Sequence, residues 1–112
     1  FDSDTLFGDI YLPHNALPEM DFAKIDTESL FLGKKVDFPL MINAMTGGFD
    51  RALEINGHLS TMAAAFNMPM AVGSQSIAVK DPSYAASFKI VRQNMQQGIV
   101  IANINIITRI HC

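Results

Sequence analysis

Short runs of apolar residues alternate along this chain with segments whose apolar positions recur every three or four residues. The first run, at residues 39–48, ends in a threonine and two glycines. Such a run is typical of a buried parallel strand that brings polar atoms and bare backbone to a ligand. Residues 69–74 and 99–103 repeat the pattern and end in a serine and an asparagine. We therefore predict three strands, with a ligand at their carboxyl ends.

Two helices are predicted between these strands. The first spans residues 51–66, with Asp50 placed to cap its first turn. The second spans residues 83–95 and follows Asp81 and Pro82, a pair typical of helix starts. Residues 75–80 are predicted to be a loop. The apolar stripe of the first helix consists of Ala52, Ile55, Leu59, Met62, Ala63 and Phe66, and that of the second of Tyr84, Phe88, Val91 and Met95.

The polar residues at the strand ends are evenly spaced. Thr46 and Ser74 are 28 residues apart, and Ser74 and Asn103 are 29 apart, which is the length of a strand plus a crossover helix. Right-handed crossovers would place the three strands parallel, with these polar residues on one rim. In a barrel, active sites lie on that rim. Each residue alone more often caps a helix or forms a turn, so the prediction depends on the repeat.

The residues before the first strand predict two accessory elements. Residues 1–26 carry scattered prolines and acids without a sustained period, which favours an extended arm. Residues 27–38 predict a short hairpin whose turn is Gly33-Lys34-Lys35. The three strands and two helices then occupy residues 39–103, and residues 104–112 form a tail.

Composition limits the classes of protein to consider. A length of 112 residues suffices for one domain but falls far below the ~250 residues of a complete barrel. The high apolar content, 49%, favours a piece of a larger core or a strongly associating protein. A net charge of −3 without a basic cluster gives no footprint for nucleic acid. No run reaches the ~18 apolar residues of a membrane helix, and no signal peptide is evident, so we expect a cytoplasmic protein. Cys112 is the single cysteine, which excludes an internal disulfide.

The chain offers few of the patterns that usually accompany catalysis. It has no Gly-x-Gly-x-x-Gly after a strand and no Walker sequence. No His or Cys pair has metal spacing. No pair of acids falls on a strand end, so no general acid and base are evident. The residues alone predict the ligand-binding first part of a β/α protein.

The motifs along most of the chain resemble, in order and spacing, those of the type 2 isopentenyl diphosphate isomerases. The resemblance implies an α/β fold in which this chain forms the first three βα units of a TIM (β/α)8 barrel, an incomplete barrel preceded by an arm and a hairpin. It extends from about Phe7 to Asn103. The motifs are Leu17-Pro18-Glu19, Phe31-Leu32-Gly33-Lys34-Lys35, Asn43-Ala44-Met45-Thr46-Gly47-Gly48, Val72-Gly73-Ser74-Gln75, Asp81-Pro82, Ser87-Phe88, Val91-Arg92 and Ala102-Asn103.

The resemblance also implies a reaction and its cofactors. The family interconverts isopentenyl and dimethylallyl diphosphate with reduced FMN, uses NADPH as reductant and binds Mg²⁺ at the diphosphate. The metal ligand is expected outside this chain, and the full-length protein is expected to be a homo-oligomer. The flavin is the acid and base, so no residue here is assigned to catalysis. The implied FMN contacts are Ala44, Met45, Thr46, Ser74 and Asn103, and the implied substrate contacts are Ser74, Gln75 and Ser76.

Three departures from the family pattern affect this interpretation. Ser76 stands where the family commonly has an arginine, the basic Arg-Lys segment before the barrel is not present, and the match fades after Asn103. We expect the isolated chain to be inactive, because a three-stranded parallel sheet leaves an apolar edge and face uncovered. Two alternatives remain open. One is another FMN-dependent barrel, such as a relative of the 2-hydroxy acid oxidases, and the other is a non-catalytic half-barrel that associates with a partner or with itself.

Overall fold

A computed structural model of the chain describes residues 7–104. The predicted tail after Ile104, including Cys112, lies outside these residues. The strands are β1 (Ser29–Phe31), β2 (Lys34–Val36), β3 (Met70–Ser74) and β4 (Val100–Asn103), and the helices are α1 (Ala52–Ala65), α2 (Ser76–Lys80) and α3 (Ala85–Asn94). Single turns of 3₁₀ helix lie at Phe7–Asp9, Phe22–Lys24 and Pro82–Tyr84.

The hairpin of β1 and β2 is antiparallel, and its turn differs from the predicted one. Phe31 pairs with Lys34, so the turn consists of Leu32 and Gly33. Their φ angles are 48° and 77°, and positive φ at both central residues is the requirement of a type I′ turn. The prediction of Gly33-Lys34-Lys35 as the turn is therefore wrong, because the two-residue turn begins one residue earlier and the two lysines begin β2.

The parallel part of the fold is built around β3. Its partner β4 pairs with it in parallel register, with Met70 opposite Val100. On the other side lies the predicted first strand, which pairs through a single parallel bridge between Ile42 and Met70. Ala71 N donates to Ile42 O at 2.8 Å. This segment is not a regular strand, because Asn43 Oδ1 accepts the hydrogen bond of Ala44 N at 2.8 Å and so replaces a bond between strands.

A β-bulge interrupts the pairing of β3 with β4. Ala71 lies opposite Ile101, yet Ser74 lies opposite Asn103, so three steps along β3 match two steps along β4. A bulge changes which face the later side chains of a strand occupy. It brings Ser74 and Asn103 side by side at the carboxyl end of the sheet.

The core lies between the sheet and the helices α1 and α3. Its buried residues are Ala63, Met70, Val72, Val91 and Met95. The predicted stripe of α3 is confirmed, since Val91 and Met95 are buried while Tyr84 and Phe88 are half-buried.

The predicted stripe of α1 is wrong in part. Met62 and Phe66 are 41% and 52% exposed, whereas the polar Asn56 and Ser60 are fully buried. The reason is that α1 contacts α3 through hydrogen bonds as well as apolar surface. Asn94 Nδ2 donates to Ser60 Oγ at 2.9 Å. A buried polar residue is stable where its hydrogen bonds are made, so the buried face turns toward these side chains.

The helix starts also test the predictions. Asp81 makes the predicted cap bond, because its Oδ1 accepts from Ser83 N at 2.9 Å. It caps the 3₁₀ turn Pro82–Tyr84 that leads into α3, however, and not α3 itself, whose cap residue is Tyr84. The Asp50 prediction is wrong, since Arg51 holds the cap position of α1 and makes no side-chain cap bond. The predicted loop at 75–80 is also wrong, because it contains α2.

The parallel segments of residues 7–104 do not close into a barrel, so the (β/α)8 assignment stays a prediction. Within the same residues, no helix has the length and apolar character that crossing a membrane requires.

Candidate functional site

A cleft of about 360 Å³ lies at the carboxyl end of β3. Three segments enclose it, which are the loop after the first apolar run, the end of β3, and α2. Its volume falls within the range of small-molecule sites. The lining residues are Ala44, Met45, Gly47, Gly48, Gly73, Ser74, Ser76, Ile77 and Lys80.

Four of the seven predicted site residues line this cleft, namely Ala44, Met45, Ser74 and Ser76. The Met45 residue is 81% exposed, so its thioether is available to a ligand. Ser74 Oγ donates to Ser76 Oγ at 3.0 Å. The bulge in β3 and the first turn of α2 thus bring two hydroxyl groups to the same wall.

The other three predicted residues lie next to the cleft without lining it. Thr46 donates its hydroxyl hydrogen to Asn56 Oδ1, and its carbonyl oxygen accepts from Gly73 N at 3.0 Å. Asn103 is half-buried at the end of β4, and its carbonyl oxygen accepts from Gln75 N at 2.9 Å. Gln75 lines a second cleft, of about 350 Å³, with Phe88 and Lys89 among its neighbours. The contacts of Thr46 and Asn103 with FMN, and of Gln75 with substrate, stay predictions.

Two residues of interest escaped the sequence reasoning. Lys80 is the last residue of α2 and lines the cleft, where it is the one charged residue among the described lining. Its position four residues after Ser76 would have placed both residues on one helix face only if residues 76–80 had been predicted to be a helix. Asn56 is fully buried and bonds to Thr46. The sequence could have indicated its burial, because it lies four residues after Ala52 and so on the same face of α1.

The glycines of the cleft are explained by packing within the protein. A Cβ on Gly73 would lie 2.6 Å from Thr46 O, and one on Gly47 would lie 2.9 Å from Phe88 Cζ. Gly48 has φ of +75°, where other residues are strained. Bare backbone is therefore needed here with or without a ligand, so ligand approach to these glycines stays a prediction.

The charges around the cleft come from a lysine and not from acids. Among the described residues that line it, none is Asp, Glu or His. Nor do residues 7–104 bring three His, Cys, Asp or Glu side chains together as a metal site would need. Just beyond Lys80, the hydrogen bonds from the Ser83 side chain and backbone hold the pKa of Asp81 below its usual value. Away from the cleft, the hydrogen bond to Glu28 raises the pKa of Lys35.

Comparison with known proteins gives a consistent set of relatives. No protein-family model matches the sequence. Isopentenyl-diphosphate delta-isomerase of Chlorobium luteolum is 47% identical over 93 residues, which are 83% of this chain and 26% of that protein. The proteins of the same name from Archaeoglobus fulgidus and Methanopyrus kandleri are 48% identical over 96 residues and 42% identical over 101 residues, or 86% and 90% of this chain and 28% of each relative. The chain thus spans about a quarter of the length of the curated relatives it matches, and over most of its own length it is similar to proteins named isopentenyl-diphosphate delta-isomerase.

Proposed function

We propose that this chain forms one wall of the cofactor and substrate site of a type 2 isopentenyl diphosphate isomerase, which interconverts isopentenyl and dimethylallyl diphosphate with reduced FMN. The observation that carries the proposal is the composition of the cleft. Ala44 and Met45, predicted to contact FMN, line it together with Ser74 and Ser76, predicted to contact substrate. The names of the relatives support the same reaction.

The residues of the cleft suit a flavin. Ala44, Met45 and Ile77 offer apolar contacts, while the hydroxyls of Ser74 and Ser76 offer polar ones. A flavin ring has one apolar end and one end rich in hydrogen-bonding atoms, so it needs both kinds of contact. Thr46 and Asn103 would contact it from the neighbouring strand ends. When bound, reduced FMN supplies the proton donor and acceptor of the reaction, and NADPH supplies the reducing equivalents.

The residues around α2 suit the diphosphate of the substrate. Ser74 and Ser76 provide hydroxyl groups, and Gln75 is the third substrate contact that we propose. Lys80, one helical turn after Ser76, provides a positive charge on the same wall. We propose that Lys80 supplies the cation that an arginine at the position of Ser76 would otherwise supply. A lysine acts on phosphate as a point charge, whereas arginine would bind it in a bidentate manner. Mg²⁺ belongs to the proposal, with its ligands outside this chain.

We propose further that the chain is inactive by itself and that the complete protein is a homo-oligomer. The described sheet has one regular parallel pair and one bridged segment, so its outer edges are unpaired. The cleft has walls from three neighbouring segments only. Positioning and exclusion of water, on which cofactor chemistry depends, would then need further residues.

A hybrid protein tests the isomerase proposal. In the Chlorobium luteolum isomerase, the 93 aligned residues are replaced by those of this chain. We expect the hybrid to bind FMN and to isomerise isopentenyl diphosphate in the presence of NADPH and Mg²⁺. The unaltered relative is the control for assay and folding. A hybrid that folds, as judged by circular dichroism, but binds no FMN would contradict the proposal.

The isolated chain and the hybrid together test the inactivity proposal and the two alternatives. Turnover by the purified chain with FMN and NADPH would overturn the proposed inactivity. Oxidation of 2-hydroxy acids by the hybrid, without isomerisation, would favour the oxidase alternative. A defined oligomer of the chain in light scattering, with no flavin absorbance, would favour a non-catalytic half-barrel.

A further inference from the structure

A fully buried amide, that of Asn56 on α1, connects the candidate site to the helix pair. Its Nδ2 donates to the carbonyl oxygen of Ser87 on α3 at 2.8 Å. Its Oδ1 accepts the hydroxyl hydrogen of Thr46, at the end of the first parallel segment. The buried side-chain polar atoms of the described residues all have partners.

The direction of these hydrogen bonds follows from the chemistry of the groups. The Ser87 carbonyl oxygen can only accept, so the nitrogen of the Asn56 amide must face it. The amide oxygen therefore faces Thr46, and because that oxygen can only accept, the Thr46 hydroxyl must donate. A hydroxyl has one hydrogen. Toward any other neighbour, Thr46 Oγ1 can then only accept.

We propose that Asn56 is a positioning residue that makes the Thr46 hydroxyl a hydrogen-bond acceptor toward the ligand of the cleft. The ligand atom placed against Thr46 then carries a hydrogen. Thr46 is half-buried beside Gly47, which lines the cleft, and the contact of its hydroxyl with the ligand is part of the proposed function. The identification of that ligand as a flavin rests on the proposed function. A flavin has one ring N–H in both redox states and further ring N–H groups only when reduced, so these are the atoms that suit Thr46.

The first test needs no ligand and uses NMR of the ¹⁵N-labelled 112-residue chain. We expect the Asn56 side-chain amide hydrogens to show nuclear Overhauser contacts to Ser87 and slow exchange with water. We expect the Thr46 hydroxyl hydrogen to exchange slowly as well. Amide hydrogens of Asn56 that contact the Thr46 methyl group and not Ser87 would overturn the proposed direction.

The second test compares FMN with dithionite-reduced FMN, each titrated into the same labelled chain without oxygen. Loss of one neutral hydrogen bond weakens binding by about fivefold. We expect this loss in Thr46→Val and affinity within about twofold of wild type in Thr46→Ser. Weakening of both flavin forms assigns the contact to the N–H that they share, and weakening of the reduced form alone assigns it to an N–H of that form. Unchanged affinity of Thr46→Val for both forms would overturn the inference.

A pair of amide variants separates positioning from loss of helix contacts. Asn56→Ala and Asn94→Ala each remove an amide that joins α1 to α3, but only Asn56 touches Thr46. We expect Asn56→Ala to weaken binding of the same flavin form or forms that Thr46→Val weakens, and Asn94→Ala to keep both affinities within about twofold of wild type. Equal affinities in Asn56→Ala and Asn94→Ala would overturn the positioning role. If neither flavin form binds the wild-type chain, the same titrations are made with the hybrid isomerase; absence of binding there overturns the flavin proposal, and the NMR contacts then decide the direction of the bond.

Discussion

The closest backbone approach in the candidate site occurs at a single residue, Gly73. Its amide donates to Thr46 O at 3.0 Å, and a Cβ would lie 2.6 Å from the same oxygen. The sequence shows glycines at the strand ends, and we predicted from it that they make room for a ligand. A contact between residues 27 positions apart cannot be deduced from a local pattern, which is why the packing reason was missed.

Gly73→Ala should destabilise the chain by about 1–3 kcal/mol, the usual cost of forcing an extra group into a packed site. The opposing atoms belong to backbone and cannot rotate away. Gly57→Ala is the matched control, because Gly57 lies inside α1 and its Cβ would meet Ile90 Cγ1 of α3 at 3.7 Å, an ordinary contact. There the same substitution should stabilise by about 0.5–1 kcal/mol. Urea unfolding measures both, and two shifts of the same sign would refute the packing argument.

Lys80 is the residue with the clearest electrostatic consequence. In the hybrid isomerase, Lys80→Ala should raise KM by roughly tenfold or more, since a hydrogen bond to a charged group contributes about 1.5–3 kcal/mol. We expect kcat to change by less than about twofold. Lys34→Ala is the control, because Lys34 Nζ donates to Gln97 O near the amino end of β4. Steady-state kinetics measure KM and kcat of both variants. An equal rise of KM in the two would contradict the proposed contact of Lys80 with the diphosphate.

At the scale of elements, the contact of α1 with α3 is the main departure from the sequence prediction. The periodicity of α1 identified a helix correctly, because spacings of three and four residues need no tertiary context. The orientation of the helix depends on its partner. Gly57 O accepts from Asn94 Nδ2 at 3.2 Å, and Asn56 and Ser60 are buried beside it. An apolar stripe could not reveal a contact made by small and polar residues.

The start of the segment that leads into α3 should make stability depend on pH. Hydrogen bonds from Ser83 lower the folded-state pKa of Asp81. A lowered pKa contributes stability above the unfolded value, about 3.9, and this stability is lost as pH falls through the folded value. Asp81→Asn should therefore be less stable than wild type at about pH 6, with the difference shrinking toward about pH 3. Urea midpoints across this range measure the difference.

Asp50→Asn is the control for the loss of a carboxylate near a helix start. Asp50 precedes α1 but provides no cap bond to it. At about pH 6 we expect its substitution to lower the urea midpoint less than Asp81→Asn does. An equal loss in the two variants at this pH would contradict the assignment to the cap.

At the scale of the whole molecule, much apolar surface is uncovered. The radius of gyration is 18.6 Å, against about 13 Å for a compact domain of this length. Every residue from 7 to 28 is exposed. An apolar cavity of about 260 Å³ lies between the hairpin and residues 38–41, away from the candidate site. Leu30 lines this cavity and is 74% exposed. Exposed apolar patches of this kind drive association.

The isolated chain should therefore associate, with a mass in light scattering above the 12.3 kDa of one copy. Leu30→Lys should reduce the association, because it places a charge on the apolar cavity beside the hairpin. Leu12→Lys is the control, since Leu12 is 82% exposed in the arm and away from this cavity. A monomeric wild-type chain, or an equal effect of both variants, would contradict this account.

The sequence predicted the parallel arrangement and the hairpin because these depend on local periodicity and turn chemistry. It could not predict α2, a five-residue helix without a sustained apolar period. It also missed the role of Asn56, since its two partners lie 10 and 31 residues away. The features of the site that depend on distant partners are thus those that required the structure.

The extra residue in β3 also affects how relatives should be compared. A protein that lacked one residue between Ala71 and Ser74 could pair β3 with β4 in regular register, and its serine would still lie opposite the position of Asn103. A protein that kept this residue but paired without the bulge would move the serine one step past that position, and its hydroxyl would turn to the opposite face of the sheet and leave the cleft. A one-residue gap at this strand in a pairwise alignment is therefore compatible with an unchanged ligand, provided that the serine is retained.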